Sequence, residues 1–254
     1  MMALDDVVPA TVGDERVTEA MERSIRWLDR CISAHKRPDM QNLFGIIQGG
    51  VIPEMRIRCC TEMVKRDLPG YAIGGMAGGE DKDDFWKTVK LCCELLPDDK
   101  PRYVMGIGYA EDLMVSALLG ADMFDCVFAT RTARFGSAFT KHGMIKLNKK
   151  IYAEDFAPIS EGCQCYACLN YTRSYLQSNF ANKTNNCAMQ LISLHNVHYL
   201  IHLLRGLREA VMSDTTESYS VDFFTNYYKD DPKGIPQWIR NACNECEITL
   251  PEAP

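Results

Sequence analysis

Residues 43–79, LFGIIQGGVIPEMRIRCCTEMVKRDLPGYAIGGMAGG, decide the fold class. Leu43 to Ile47 is a short apolar run closed by Gln48-Gly49-Gly50. Pro53 then suits the first position of a helix running to about Arg66. Tyr71 to Ile73 is a second apolar run and leads into the glycine-rich turn Gly74-Gly75-Met76-Ala77-Gly78-Gly79. Strand, helix and strand on short connections read as a parallel βαβ unit.

The alternation extends both ways. Upstream, Met1 to Val8 reads as a short buried strand carrying Asp5 and Asp6. Asp14 reads as the cap of a helix whose apolar positions Val17, Met21, Ile25, Leu28 and Ile32 recur at spacings of three and four, ending before Pro38. Downstream lie a helix turning Phe85, Trp86, Val89, Cys92 and Leu96 to a core, a strand over Arg102 to Met105, a helix over Ala110 to Leu119, and a strand over Met123 to Phe128. Five strands alternating with four helices are the pattern of a parallel α/β fold.

Each strand ends in a polar or glycine-rich group: Asp5, Gln48, Gly75-Met76, Met105-Gly106 and Asp125. In barrels and in doubly wound sheets the ligand sits at the carboxyl ends of the strands. No GxGxxG or P-loop pattern opens a helix, which favours a barrel over a nucleotide-binding doubly wound sheet. The glycines at 74–79 suit tight-turn packing as well as ligand approach. A barrel closes with about eight strands, so the expected architecture is the C-terminal portion of a (β/α)8 TIM barrel, or an open sheet.

Charge singles out the segment after the last strand. Thr130 to Lys150 holds Arg131, Arg134, Lys141, Lys146, Lys149, Lys150 and His142 and no acid, leaving 22 basic against 34 acidic residues elsewhere, a net −12. An acidic protein with one basic loop is suited to meet a polyanion there. Asp125, just before it, interrupts an apolar run, and a buried carboxylate is costly unless paired or used. Asp125 is therefore a candidate site residue.

At 254 residues and 46% hydrophobic, the chain can bury a full core. No apolar run approaches the ~20 residues that span a bilayer, and the N-terminus MMALDDVV is too short and acidic for a signal peptide. Most of the twelve cysteines read as reduced core residues. Cys163, Cys165 and Cys168 form CxCxxC, whose spacing lets three thiolates converge on one ion, with tetrahedral zinc the expected metal. The fourth ligand is open among His195, His198 and His202, on one face of a helix from about Thr184 to Val211, and the Cys243/Cys246 pair. Taken singly, each histidine suits a packing role as well. Tyr219 to Ala242 reads as a packing element, helical at first and then polar.

DMFDCVFATRTARFG (122–136), GYAIGGMAGGE (70–80), NLFGIIQGG (42–50), RYVMGIG (102–108) and CxCxxC followed by LHN (194–196) closely resemble the tRNA-guanine transglycosylases, on their eukaryotic catalytic-subunit branch. The resemblance runs from Met1 to about Gly206. It implies a (β/α)8 barrel with an inserted zinc-binding subdomain, the chain then lacking the first barrel units. It implies exchange of guanine at the anticodon wobble position for queuine. The family's TDSGGF-type motif, with a second aspartate, does not occur in this sequence.

Residue by residue, the resemblance implies that Asp125 is the nucleophile that attacks C1′ of the ribose. Asp5 would accept from the N1–H and 2-amino edge of the base. Gln48 and the Gly75 N–H would donate to its 6-keto oxygen, and Met105 would pack on its face. Gly78 and Val7 stand where bacterial relatives have valine and cysteine, and Gly78 would leave room for the cyclopentenediol of queuine. Gly106, Ile107, Gly108, Tyr109, Ala110, Glu111 and Asp112, with Thr130, Arg131, Thr132, Ala133 and Arg134, match the anticodon-loop contact segments. Cys163, Cys165, Cys168 and His195 match the ligands of one structural zinc ion. Ala129 replaces a proline usual in the family.

The implied partners are a tRNA with a GUN anticodon, the queuine or guanine base, and a non-catalytic paralogous subunit. The implied location is the cytoplasm, peripheral at the mitochondrial outer surface. The expected division is 1–150 for the partial barrel, 151–212 for the zinc-binding subdomain with its following helix, and 213–254 for a C-terminal helical segment. Two other readings compete: a non-catalytic or truncated paralogue that binds zinc, RNA or a partner without turnover, and, from the residues alone, a zinc-containing barrel enzyme acting on a small molecule.

Overall fold

The computed structural model describes residues 1–9, 12–76, 78–182 and 186–252. Its contacts divide the chain into two compact units, one of residues 1–107 with 115–126 and one of residues 108–114 with 127–254.

The first unit is a parallel sheet with its connecting helices. Helix α1 (Asp14–Ala34) leads to β1 (Gly45–Ile47), α2 (Pro53–Val64), β2 (Tyr71–Ile73), α3 (Lys82–Leu95) and β3 (Arg102–Val104). Helix α4 (Ala110–Leu118) precedes β4 (Met123–Phe124). The strands lie in sequence order, all parallel, with no reversal of order of the kind that marks a doubly wound sheet. β1 and β2 are wholly buried, as strands covered on both faces must be.

The register positions the chemistry. Ile47 pairs with Ile73, Ile73 with Val104, and Val104 with Phe124. The next residues on the four strands, Gln48, Gly74, Met105 and Asp125, therefore emerge at one level at the carboxyl edge.

Two expected strands are shorter than their apolar runs. Of Met1 to Val8, only Met2 bridges Phe44, supported by the Ala3 N–H on the Phe44 carbonyl at 2.9 Å. β4 stops at Phe124, and Asp125 is exposed rather than buried in a strand, because Phe128 already begins the next helix. The α1 cap also differs: Gly13 holds the N-cap position, and Asp14 sits in the first turn, where its charge favours the helix dipole. Ile32, expected on the buried stripe, is 37% exposed.

In the second unit, α5 (Phe128–Ala133) is followed by an antiparallel hairpin of β5 (Ser137–Thr140) and β6 (Gly143–Lys146). The segment expected to be a basic loop is thus a helix and a hairpin with its basic side chains exposed. Then come α6 (Tyr166–Asn170), α7 (Arg173–Asn182), α8 (Cys187–Met212), α9 (Thr216–Tyr227) and α10 (Gln237–Asn244). The expected start of α8 at Thr184 lies outside the described residues. α8 is the hub: it packs on α5, β5, α6, α7 and α9.

The fully buried Asn196 of α8 fastens this unit. Its Nδ2 donates to the carbonyls of Ala129 (2.9 Å) and Ser137 (3.0 Å), and its Oδ1 accepts from the Phe139 N–H (3.1 Å). The tail that reads as polar contains α10, which buries Ile239, Ala242 and Cys243. Among the described residues, no helix is long and apolar enough to cross a membrane.

Candidate active site and metal centre

At the carboxyl edge of the sheet the first unit opens a cleft of about 590 Å³, lined by Asp5, Val7, Gly74, Gly75, Gly78, Met105, Gly106 and Asp125 among others. Two neighbouring acids have been sorted by their partners. Asp6 turns to α1, pairing with Arg16 at 2.7 Å and with Arg23, and the Arg16 hydrogen bond holds its carboxyl below the ordinary range. Asp5 turns to the cleft and accepts from the Gln48 side-chain amide at 2.6 Å. Burial pushes the Asp5 carboxyl up, and the Gln48 bond offsets part of that rise.

The glycines after β2 are required by this pair. A Cβ on Gly74 would come within 2.6 Å of Ile46 and 3.0 Å of the Gln48 amide nitrogen. One on Gly75, whose φ is +68°, would come within 2.4 Å of the Gln48 carbonyl oxygen. Gly78 is exposed on the cleft, and its N–H donates to the Glu80 carboxylate at 2.8 Å.

Across the cleft lining, one oxygen of Asp125 receives two donors, the Tyr103 hydroxyl and the Gly106 N–H at 3.0 Å. The positive φ of Gly106, +77°, lets the chain turn directly after β3. Burial, and then the neighbouring Asp125, push the Tyr103 hydroxyl up, so it stays a proton donor to the carboxylate. Met105 is half-buried beside it. The arrangement is an exposed carboxylate held in place by fixed donors, in the same cleft as a recessed acceptor.

The residues expected to meet RNA differ in exposure. Gly106, Tyr109, Thr130, Arg131 and Arg134 are exposed, Glu111 and Thr132 are partly so, and Ile107, Gly108, Ala110, Asp112 and Ala133 are buried. Within the second unit, the Tyr109 and Phe128 rings pack in a tilted contact with centroids 4.1 Å apart. Arg131 lies in the last turn of α5 and Arg134 at its end.

Cys163, Cys165, Cys168 and His195 converge, their ligand atoms all within 4.8 Å of one another. The three sulfurs lie 3.7, 3.4 and 3.3 Å from His195 Nδ1. Tetrahedral zinc with thiolate and imidazole ligands would place sulfur and nitrogen about 3.5 Å apart, so the donor set fits a metal ion. His195 Nε2–H donates to the Phe139 carbonyl at 2.7 Å, which fixes the ring and leaves Nδ1 as the ligand atom. Hydrogen bonding from Cys168 holds the Cys163 thiol down, toward the thiolate form that metals bind. The other candidates lie outside the cluster: the His198 and His202 rings meet in a tilted contact with centroids 4.0 Å apart, and Cys243 packs in the core.

Sequence reasoning missed Tyr103, Arg56 and Asn196. Tyr103 precedes Met105 by two positions, hence on the same face of one strand, a signal that could have found it. Arg56 is fully buried in α2 and reaches the turns after β1 and β2.

A family model described as queuine tRNA-ribosyltransferase matches residues 1–229. The chain is 48% identical to the queuine tRNA-ribosyltransferase catalytic subunit of Schizosaccharomyces pombe over 98% of its own length and 63% of the relative's. It is 47% identical to that of Caenorhabditis elegans over 98% and 65%. It is 42% identical to the queuine tRNA-ribosyltransferase of Bacillus pumilus over 91% and 61%. The chain thus spans somewhat under two thirds of the length of these relatives. The matched family model, and identities sustained across nearly the whole chain, show that this chain belongs to the queuine tRNA-ribosyltransferase family.

Proposed function

We propose that this chain carries the base pocket and nucleophile of an enzyme that exchanges guanine for queuine at the wobble position of a tRNA with a GUN anticodon. The observation that carries the proposal is one cleft lined by both Asp5, to which the buried Gln48 donates, and the donor-anchored Asp125.

Asp125 forms a bond to C1′ of the ribose as the C1′–N9 bond to guanine breaks, and the base leaves with that electron pair. Retaining glycosidases use a carboxylate in the same way. The departing guanine takes a proton from water; the incoming base gives its N9 proton to water and attacks C1′, and Asp125 leaves with the electron pair of the C1′–O bond. The Tyr103 hydroxyl and Gly106 N–H aim the carboxylate and stabilise it as the leaving group of that second step. The target nucleotide must leave the base stack to reach the cleft.

Asp5 accepts from the N1–H and 2-amino group of the base, a pairing that adenine does not offer. Gln48 has two amide hydrogens; one holds Asp5 and the second is left for the 6-keto oxygen, together with the Gly75 N–H. Met105 packs on the base, and Gly78 and Val7 border the space for the cyclopentenediol of queuine. Exposed Arg131, Arg134 and Thr130 contact the anticodon loop, with Tyr109, Gly106 and Glu111, while the buried residues of the two segments hold them in shape. Unstacked loop bases are accessible to such side chains.

Cys163, Cys165, Cys168 and His195 hold one zinc ion. Four protein ligands leave no open position, so its role is structural. The strands in sequence order form part of a (β/α)8 barrel, and the working enzyme is a cytoplasmic heterodimer with a non-catalytic paralogue.

Incorporation of labelled queuine into tRNA with a GUN anticodon, using the protein as it occurs in the cell, tests the function. Incorporation lost on Asp125→Asn supports it. A protein that binds zinc and tRNA but never exchanges the base would replace it with the non-catalytic reading.

A further inference from the structure

A fully buried guanidinium beneath the cleft has no part in the chemistry above. Arg56, in the first turn of α2, makes no ion pair among the described residues. It donates instead to backbone: Nε to the Gly50 carbonyl at 2.7 Å, Nη1 to the Ile47 carbonyl at 2.9 Å and Nη2 to the Gly74 carbonyl at 2.9 Å. Nη2 also lies 3.2 Å from Met76 Sδ. A buried cation without a counter-ion is costly, and an apolar side chain would pack a helix on a sheet without that cost. What the guanidinium alone supplies is a rigid fork of donors that reaches three carbonyls from two strand ends.

We infer that Arg56 is a positioning residue for base recognition, latching the Gly74–Gly75 peptide so that the Gly75 N–H faces the cleft. This rests on the function proposed above. In a trans peptide the carbonyl and the following N–H point in opposite directions, and no cis peptide bond occurs among the described residues. Drawing the Gly74 carbonyl toward Arg56 therefore turns the Gly75 N–H away from it. The latch matters because this peptide lies between two glycines, the least restrained of all pairs. If it flipped, a carbonyl would take the place of the donor and oppose the 6-keto oxygen of the base. The bonds to Ile47 and Gly50 hold the neighbouring turn, where Gly50 has φ +58°, and so steady Gln48 from the other side.

The test compares guanine with 6-thioguanine, which keeps the N1–H and 2-amino edge but replaces the 6-oxygen with a poorer acceptor. Dissociation constants are measured by calorimetry for the full chain and for Arg56→Lys, which cannot span three carbonyls. Guanine binding is expected to weaken about tenfold and 6-thioguanine binding by less than about threefold, with zinc content and anticodon stem-loop affinity unchanged. Equal weakening for both bases would make Arg56 merely structural and overturn the inference. A parent protein that binds neither base would instead refute the proposed function, and the inference with it. If melting curves show Arg56→Lys unfolded, Arg56→Gln, which keeps a donor for Gly74, takes the same measurement; collapse of both also overturns the latch.

Discussion

The side-chain amide of Gln48, one residue beyond β1, donates to the carboxylate of Asp5 at 2.6 Å, joining the start of the chain to the carboxyl edge of the sheet. Asp5 lines the cleft as an acceptor, the complement of the N1–H and 2-amino edge proposed for the base. Asp5→Asn keeps the shape but replaces one acceptor oxygen with a donor. Guanine affinity should fall by about 1–3 kcal/mol, roughly 5- to 150-fold, because a donor then faces a donor. Affinity for the anticodon stem-loop should hold. Calorimetry with each ligand separates the two.

The burial of Asp5 has a pH consequence. Its carboxyl is raised above the ordinary carboxylate range, so it takes up a proton at a higher pH than a solvated aspartate does. Base affinity is fully present above that raised value and is lost as pH falls through it. The profile of the parent protein should bend at a higher pH than a solvated aspartate would give, and flatten in Asp5→Asn. A parent profile flat through the whole acid range would show that the Asp5 charge takes no part in binding.

Gly78 is exposed and lines the cleft, beside the space proposed for the queuine substituent. Gly78→Val should reduce queuine use at least about tenfold while leaving guanine exchange nearly as it was. Unchanged queuine incorporation in a competition assay would remove Gly78 from the specificity pocket.

The Cys3His group should behave as a support of the second unit. The core there includes Cys165, Ala167, Leu191 and Ile192, and His195 ties α8 to β5 through the Phe139 carbonyl. Chelation, or Cys165→Ser, should lose about one zinc per chain and lower stability by ~3 kcal/mol or more. Hydrogen exchange should accelerate first in α6, α8 and β5, and later in β1 to β3. Equal exchange with and without metal would deny the structural role.

The parallel α/β pattern was legible in the sequence because the strand signals were short, apolar and punctuated. Tyr71–Ile73 and the Pro53 helix start fall where the residues put them. The run from Met123 to Phe128 misled, since apolar residues alone do not separate a strand from a helix that buries Phe128 and Ala129. The hairpin at 137–146 was hidden by its charges, although a two-residue turn before Gly143 was a usable sign. CxCxxC announced a metal cluster, yet spacing left three histidines level. His195 is singled out by the Phe139 carbonyl on its far nitrogen, a contact 56 residues distant in sequence. Tyr103 was open to the two-residue spacing from Met105, whereas Arg56 depends on carbonyls from separate turns, which no local pattern records.

The central claim is that Asp125 bonds covalently to the ribose. The most direct measurement is denaturing electrophoresis of the protein after incubation with labelled GUN-anticodon tRNA in the absence of added base. A protein–RNA adduct that is absent in Asp125→Asn and released intact by guanine is the expected result. An adduct that persists in Asp125→Asn, or base exchange sustained by that variant, would contradict the assignment.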